Sequence, residues 1–77
     1  MDSIMINTVI SLYAEVLSNL QTEDTRMKKL EEFDESFGAE VEDWEELMRA
    51  SVLELGKPNA EDAVAAIDVY HAKKHPS

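Results

Sequence analysis

Apolar residues recur every three to four positions along four segments of the chain, which is the spacing of one face of an α-helix. The segments cover roughly residues 3–20, 23–37, 41–55 and 60–73. Polar or turn-forming residues separate them, and no run of alternating apolar and polar residues indicates a strand. The pattern predicts an all-α fold: one small four-helix domain over residues 1–77, built as an antiparallel or an orthogonal bundle.

The first predicted helix has a wide apolar arc. At about 100° per residue, nine apolar side chains fall within roughly 160° of the helical wheel. They are Met5, Ile6, Val9, Ile10, Leu12, Tyr13, Val16, Leu17 and Leu20. Asp2 or Ser3 can cap the start of this helix. The arc is wider than contact with one helix requires, so it either packs against several helices or also meets a second subunit.

Capping residues and glycines delimit the other three helices. Thr22 or Asp24 can begin the second helix, and Gly38 is expected to end it in a left-handed conformation. Gly56 is expected to end the third, and Asn59 precedes the fourth in a position that resembles a capping box. The apolar residues of these helices that we expect to face inward are Met27, Leu30, Phe33, Phe37, Val41, Trp44, Leu47, Met48, Val52, Leu55, Ala63, Ala66, Ile67 and Tyr70.

Acidic residues greatly outnumber basic ones and concentrate in one part of the chain. The sequence has 17 acidic and 7 basic residues and a formal net charge of −10. Residues 31–46, called the acidic stretch below, contain nine acids and no basic residue: Glu31, Glu32, Asp34, Glu35, Glu40, Glu42, Asp43, Glu45 and Glu46. Because apolar residues at helical spacing lie between these acids, the stretch predicts an acidic surface fixed to a core, not a flexible tail.

Composition narrows the range of partners and compartments. The negative charge disfavours direct binding to nucleic acid or anionic lipid and favours a basic protein partner. No apolar run reaches the length of about 18 residues that a membrane span requires. The chain has no Cys, which excludes disulfides and thiolate metal sites. Absence of Cys suits a reducing compartment, so we expect a cytoplasmic protein.

Motifs for catalysis are missing. The sequence contains no GxSxG, no HExxH and no glycine-rich phosphate loop, and its two His residues lie near the C-terminal end. Length, acidity and the ending AAIDVYHAKKH resemble acyl carrier proteins, but no Ser has the Asp-Ser-Leu context in which that family carries its phosphopantetheine arm. We therefore predict no enzymatic activity, no catalytic residue and no cofactor.

Two patterns in the sequence have some of the features of metal-binding sites. Asp68, His71 and His75 are spaced i, i+3 and i+7, on one side of the fourth helix, where they could hold a divalent ion. Residues 34–45 have the length of an EF-hand loop, but Ala39 stands where that loop requires Gly. The simpler interpretation is a solvated helix end and an ordinary acidic turn, so no metal is predicted.

Protein binding through the acidic stretch is the leading functional hypothesis. If residues 31–46 formed one helix, their charges would lie about 2.7 Å apart, close to the phosphate spacing of about 1.7 Å in duplex DNA and about 3.4 Å in one strand. A hairpin at Gly38 would bring them closer still. This profile resembles the small DNA-mimic inhibitors of mobile elements, including phage anti-CRISPR and anti-restriction proteins. The resemblance implies a non-enzymatic inhibitor or regulator that binds a basic, nucleic-acid-binding protein through the nine acids.

The alternative hypothesis is a structural or assembly module. The wide apolar arc of the first helix would then form a homodimer or hetero-oligomer through Ile6, Ile10, Tyr13 and Leu17. The acids would serve mainly to keep the protein soluble. Both hypotheses can hold together, because a dimer would double the acidic surface.

Overall fold

Four α-helices account for most of residues 2–75, which are the residues that the computed structural model describes. Helix α1 spans Ser3–Asn19, α2 spans Glu23–Phe33, α3 spans Trp44–Leu55 and α4 spans Ala60–Lys74, and a π-helical turn, Asp34–Gly38, follows α2 directly. No strand occurs within residues 2–75, so the prediction of an all-α, four-helix fold is confirmed. Within the same residues, no helix has both the length and the apolar character needed to cross a membrane.

The helices pack in an order that differs from their order in the chain. Helix α1 packs mainly on α3, α3 also packs on α4, and α4 also packs on α2. Helices α2 and α3 are consecutive but meet chiefly at their facing ends, where the rings of Phe33 and Trp44 lie 4.8 Å apart. The predicted hairpin at Gly38 is therefore wrong: the acidic stretch bends and does not fold back on itself.

Local hydrogen bonds set the ends of three helices as the sequence predicts. The Asp2 side chain accepts a 3.0 Å hydrogen bond from the Met5 backbone N–H, which caps α1. Thr22 caps α2 in the same way, accepting from the Thr25 backbone N–H at 3.2 Å. Gly56 ends α3 with a φ of 61°, the left-handed conformation that costs a glycine least.

Two other predicted boundaries, the end of α2 and the start of α3, and one predicted cap are corrected. The α-helix predicted over 23–37 gives way to π-helical geometry after Phe33. Gly38 is not left-handed, since Gly56 is the one residue with positive φ within residues 2–75. Residues 39–43 form turns, so α3 begins at Trp44 and not at 41. Asn59 does precede α4, but its side chain makes no capping hydrogen bond.

A single hydrophobic core lies between the four helices. It contains Ile10, Ala14, Leu17, Leu30, Phe33, Trp44, Met48, Val52, Ala63, Ala66, Ile67 and Tyr70. Tyr13 packs against this core, and ring contacts run from Tyr13 to Phe33 at 5.1 Å, from Phe33 to Trp44 at 4.8 Å and from Trp44 to Tyr70 at 5.8 Å. These rings belong to α1, α2, α3 and α4 in turn, so they join both ends of the turn region between α2 and α3 to the core.

Arg26 of α2 is buried although its side chain is charged. Its Nη2 donates a 2.8 Å hydrogen bond to the Leu20 carbonyl oxygen at the end of α1. This bond satisfies a carbonyl that the helix end leaves free. Arg26 therefore fixes the turn between α1 and α2, and it adds no surface charge there.

Candidate functional site

The acidic stretch separates into carboxylates that face solvent and carboxylates that bind the rest of the chain. Seven of the nine predicted binding residues are exposed, namely Glu31, Glu32, Glu35, Glu40, Glu42, Asp43 and Glu46. We call these seven the acidic surface. The other two, Asp34 and Glu45, are turned towards α4. This division was not visible in the sequence, since all nine residues have the same local pattern of acids between apolar positions.

Asp34 connects the π-helical turn to the last turns of α4. Its Oδ2 accepts a 2.7 Å hydrogen bond from the Tyr70 hydroxyl and lies 2.6 Å from Lys74 Nζ. Burial raises the pKa of Asp34, but hydrogen bonds from Lys74 and Tyr70 lower it more, so the pKa lies below its ordinary value. Asp34 is therefore held as a carboxylate by contacts with Tyr70 and Lys74 of α4.

The same contacts shift the pKa values of both donors. Burial and the nearby Asp34 carboxylate raise the pKa of the Tyr70 hydroxyl, so it stays a proton donor over a wide pH range. The hydrogen bond to Asp34 raises the pKa of Lys74, with smaller contributions from the charges of Glu45 and Glu31. The C-terminal turn of α4 thus lies in the negative field of the acidic stretch.

Gly38 is required by the position of Asp34, not by a left-handed backbone. A Cβ atom added at Gly38 would collide with the Asp34 carboxylate, and it would also lie 3.5 Å from Trp44 Nε1. A residue with a side chain at this position would therefore push Asp34 away from Tyr70 and Lys74. This explains why one of only two glycines in the chain stands here.

Glu45 is the second carboxylate that is bound internally. It lies in the first turn of α3 and is 7% exposed. Its Oε2 lies 2.9 Å from His71 Nδ1 and 3.9 Å from His75 Nε2. Asp68 does not join these two histidines, since its carboxylate pairs with Arg49. The helical spacing of Asp68, His71 and His75 therefore does not bring these three side chains together. Glu45, from a different helix, lies beside the two histidines.

Four of the exposed carboxylates lie beside this region. Glu40 and Glu42 line an open groove that Lys74 and His75 also line. Glu42 also lines a second groove, together with Asp43 and Glu46. Within residues 2–75, one member of the acidic surface forms an ion pair: Glu32 lies 2.9 Å from Lys29 Nζ. The other six present their charge to solvent without a salt bridge there.

The first helix offers a different apolar surface from the one the sequence suggested. Ile10 and Leu17 are 2% and 0% exposed, respectively, and lie in the chain's own core, while Ile6 and Tyr13 are partly buried against it. The exposed large apolar side chains of α1 are Ile4, Met5, Leu12 and Val16, at 77%, 55%, 58% and 39% exposure. An interface through α1 would therefore use residues of this set in place of Ile10 and Leu17.

The chain was compared with known proteins in three ways. Neither protein-family models, nor curated proteins, nor solved structures gave a match.

Proposed function

We propose that this protein is a non-enzymatic inhibitor or regulator that binds a basic, nucleic-acid-binding protein through the acidic surface. One observation supports this proposal above all: six of the seven carboxylates face solvent without a salt bridge within residues 2–75. A surface of one sign attracts a cationic partner over a distance of about one Debye length and raises the rate of encounter. The phosphate-binding groove of a nucleic-acid-binding protein is a cationic surface of this kind.

The number of carboxylates can be compared with the number of phosphates that such a groove contacts. The longest dimension of the chain is 30 Å. Over that length one nucleic-acid strand carries about nine phosphates, and a duplex carries about 18. The acidic surface provides seven carboxylates, a number closer to the phosphates of a single strand of that length than to those of a complete duplex.

The internal contacts of Asp34 and Glu45 favour binding because they limit the motion of the surface. Both carboxylates connect the segment from the π-helical turn to the start of α3 with the end of α4. The intervening residues 39–43 carry three of the exposed acids. A surface that is ordered before binding loses less conformational entropy when it binds.

Binding can be tested first by affinity capture from a host lysate at low and at moderate salt, followed by purification of the captured protein. The purified partner should bind with an on-rate that falls steeply as salt is added, since the attraction is screened. Nucleic acid should compete with this chain for the partner. Binding that is independent of salt, or unaffected by competing nucleic acid, would contradict the proposal.

A matched pair of variants distinguishes the effect of the acidic surface on binding from the effect of net charge alone. The test variant carries Glu40→Gln, Glu42→Gln, Asp43→Asn and Glu46→Gln. The control carries Glu15→Gln, Asp24→Asn, Glu54→Gln and Glu61→Gln, which remove the same charge from exposed positions outside the stretch. We expect the test variant to lose at least about tenfold in on-rate at low salt and the control to lose much less. Equal losses would assign the effect to net charge.

The assembly hypothesis remains a second proposal, because Met5, Leu12 and Val16 leave apolar surface exposed on α1. Sedimentation equilibrium over a range of protein concentrations would test it. A dimer that Leu12→Glu converts to a monomer would support assembly through α1. A wild-type protein that is monomeric at all concentrations would exclude self-association and leave only a hetero-oligomer.

A further inference from the structure

Three side chains that commonly bind metal ions converge where the end of α4 meets the start of α3. Glu45 comes from α3, and His71 and His75 come from successive turns of α4. One ligand atom from each lies within 4.8 Å of the others. Two imidazoles and one carboxylate from two helices form a recurrent ligand set for zinc and related ions.

The distances between these atoms are close to those that a bound ion requires. With metal–ligand bonds of about 2.0–2.1 Å, the ligand atoms of a tetrahedral site lie about 3.3 Å apart. Here Glu45 Oε2 is 2.9 Å from His71 Nδ1 and 3.9 Å from His75 Nε2. Glu45 is buried, whereas both imidazoles are more than half exposed. Small rotations of the two exposed rings would therefore bring the three atoms to suitable distances around one ion.

The electrostatic surroundings favour a cation at this point. Glu42, Asp43 and Glu46 line the same groove as the two histidines. The two basic side chains that line the adjoining grooves, Arg49 and Lys74, already have acidic partners, Asp68 and Asp34 respectively. Neither cation is thus free to occupy the space beside Glu45. The negative electrostatic potential of the three carboxylates in this groove raises the local concentration of cations.

We propose that Glu45, His71 and His75 bind a zinc ion. Zinc accepts imidazole nitrogen and carboxylate oxygen together, whereas calcium and magnesium prefer oxygen ligands alone. The fourth position would hold a water molecule or the nearby Glu42 carboxylate. Binding would replace the hydrogen bond between Glu45 and His71 with a stronger connection between α3 and α4. None of the three ligands Glu45, His71 and His75 belongs to the acidic surface, although Glu42 of that surface lines the same groove.

Isothermal titration of the metal-free protein with zinc chloride tests the proposal directly. We expect saturation at one ion per chain, a rise of several degrees in Tm, and zinc X-ray absorption showing N/O ligands at about 2.0–2.1 Å. His71→Ala and His75→Ala should each weaken binding by about tenfold or more, since even losing a group that only orients a ligand costs that much. Glu45→Gln should do the same, and far-UV circular dichroism would show whether it remains folded.

Asp68→Asn is the matched control, because Asp68 lies on the same side of α4 but pairs with Arg49. It should bind zinc as the wild type does. No saturable binding below about 100 μM zinc would overturn the proposal. So would a loss in Asp68→Asn as large as in His71→Ala, or binding that survives both histidine substitutions, since that would be diffuse binding to surface carboxylates. None of these results bears on binding of a basic protein, which is measured without zinc.

Discussion

The Tyr70 hydroxyl donates a 2.7 Å hydrogen bond to the Asp34 carboxylate, which lies 36 residues earlier in the chain. Lys74, one turn further along α4, reaches the same oxygen at 2.6 Å. Two groups on one face of α4 therefore hold the first residue of the π-helical turn. This carboxylate therefore joins the segment between α2 and α3, which carries part of the acidic surface, to the end of α4.

Removing the Tyr70 hydroxyl should destabilise the protein measurably. Tyr70→Phe keeps the ring and its contact with Trp44 but removes a part-buried hydrogen bond to a charged acceptor. We expect a loss of about 1–2 kcal/mol in the free energy of unfolding, measured by urea denaturation. Tyr13→Phe is the control, since the Tyr13 hydroxyl has no hydrogen-bond partner within residues 2–75, and it should cost less than about 0.5 kcal/mol. Equal losses would mean that the bond to Asp34 contributes little.

Asp34 should make the stability of the protein depend on pH at the acid end. Its pKa in the folded state lies below the ordinary value of 3.8. Its contribution is therefore complete above that value and is lost as pH falls through the lower, folded-state pKa. We expect wild type to be more stable than Asp34→Asn at pH 7, with the difference shrinking below about pH 3.8. Urea denaturation at several pH values measures this.

Glu15→Gln, at an exposed position on α1, controls for the loss of one negative charge in this pH series. A stability difference between wild type and Asp34→Asn that stays constant down to pH 2 would contradict the assignment. It would show that Asp34 stabilises the fold without a change in its proton affinity.

Gly38→Ala should destabilise the protein only while Asp34 is present. In the wild type the new Cβ collides with the Asp34 carboxylate, and we expect a loss of about 1–2 kcal/mol. In an Asp34→Ala background this collision disappears. Alanine then favours helical geometry over glycine by up to about 1 kcal/mol, so the same substitution should be neutral or stabilising. A double-mutant cycle of urea denaturation curves measures the coupling.

Gly56→Ala provides the control for that cycle. Gly56 has a φ of 61° and no atoms near its added Cβ, so alanine there should cost about 1 kcal/mol through backbone strain alone. The cost should be the same with and without Asp34. Coupling of Gly56 to Asp34 as strong as that of Gly38 would contradict the steric explanation.

The sequence predicted well those features that depend on residues close together in the chain. The apolar period gave four helices, and local side-chain oxygens at Asp2 and Thr22 gave two of their starts. In α4 the four residues expected to face inward, Ala63, Ala66, Ile67 and Tyr70, are all buried. Each of these features is determined within one or two helical turns.

The features that sequence analysis missed depend on which helices become neighbours. Glycine commonly ends helices, so Gly38 was expected to do so. In the structure, its lack of a side chain instead makes room for the Asp34 carboxylate. The spacing of Asp68, His71 and His75 places them on one side of a helix. Because α3 packs beside α4, Glu45 lies next to the two histidines, whereas Asp68 pairs with Arg49. The spacing of apolar residues predicts which face of each helix is buried. It does not predict how that helix is aligned along the helix packed against it. For the same reason, Asp34 and Glu45 could not be separated from the seven exposed acids.

Two leucines on α1 test the corrected description of that helix. Leu17 is fully buried, whereas Leu12 is 58% exposed. Leu17→Ala removes core contacts and leaves a cavity, so we expect a loss of about 2–5 kcal/mol in the free energy of unfolding, a large share of the stability of a small domain. Leu12→Ala should change it by less than about 0.5 kcal/mol, because its side chain is largely in water. Thermal or urea denaturation at low protein concentration compares the two.

Measuring the Tm of Leu12→Ala at several protein concentrations also tests self-association through α1. If α1 mediates self-association, Leu12→Ala should lower Tm at high protein concentration but not at low, since binding stabilises the folded state by mass action. If α1 faces only water, the effect should be equally small at both concentrations. A large loss for Leu12→Ala at low concentration would instead mean that Leu12 is part of the core, contrary to the position that the structure assigns to it.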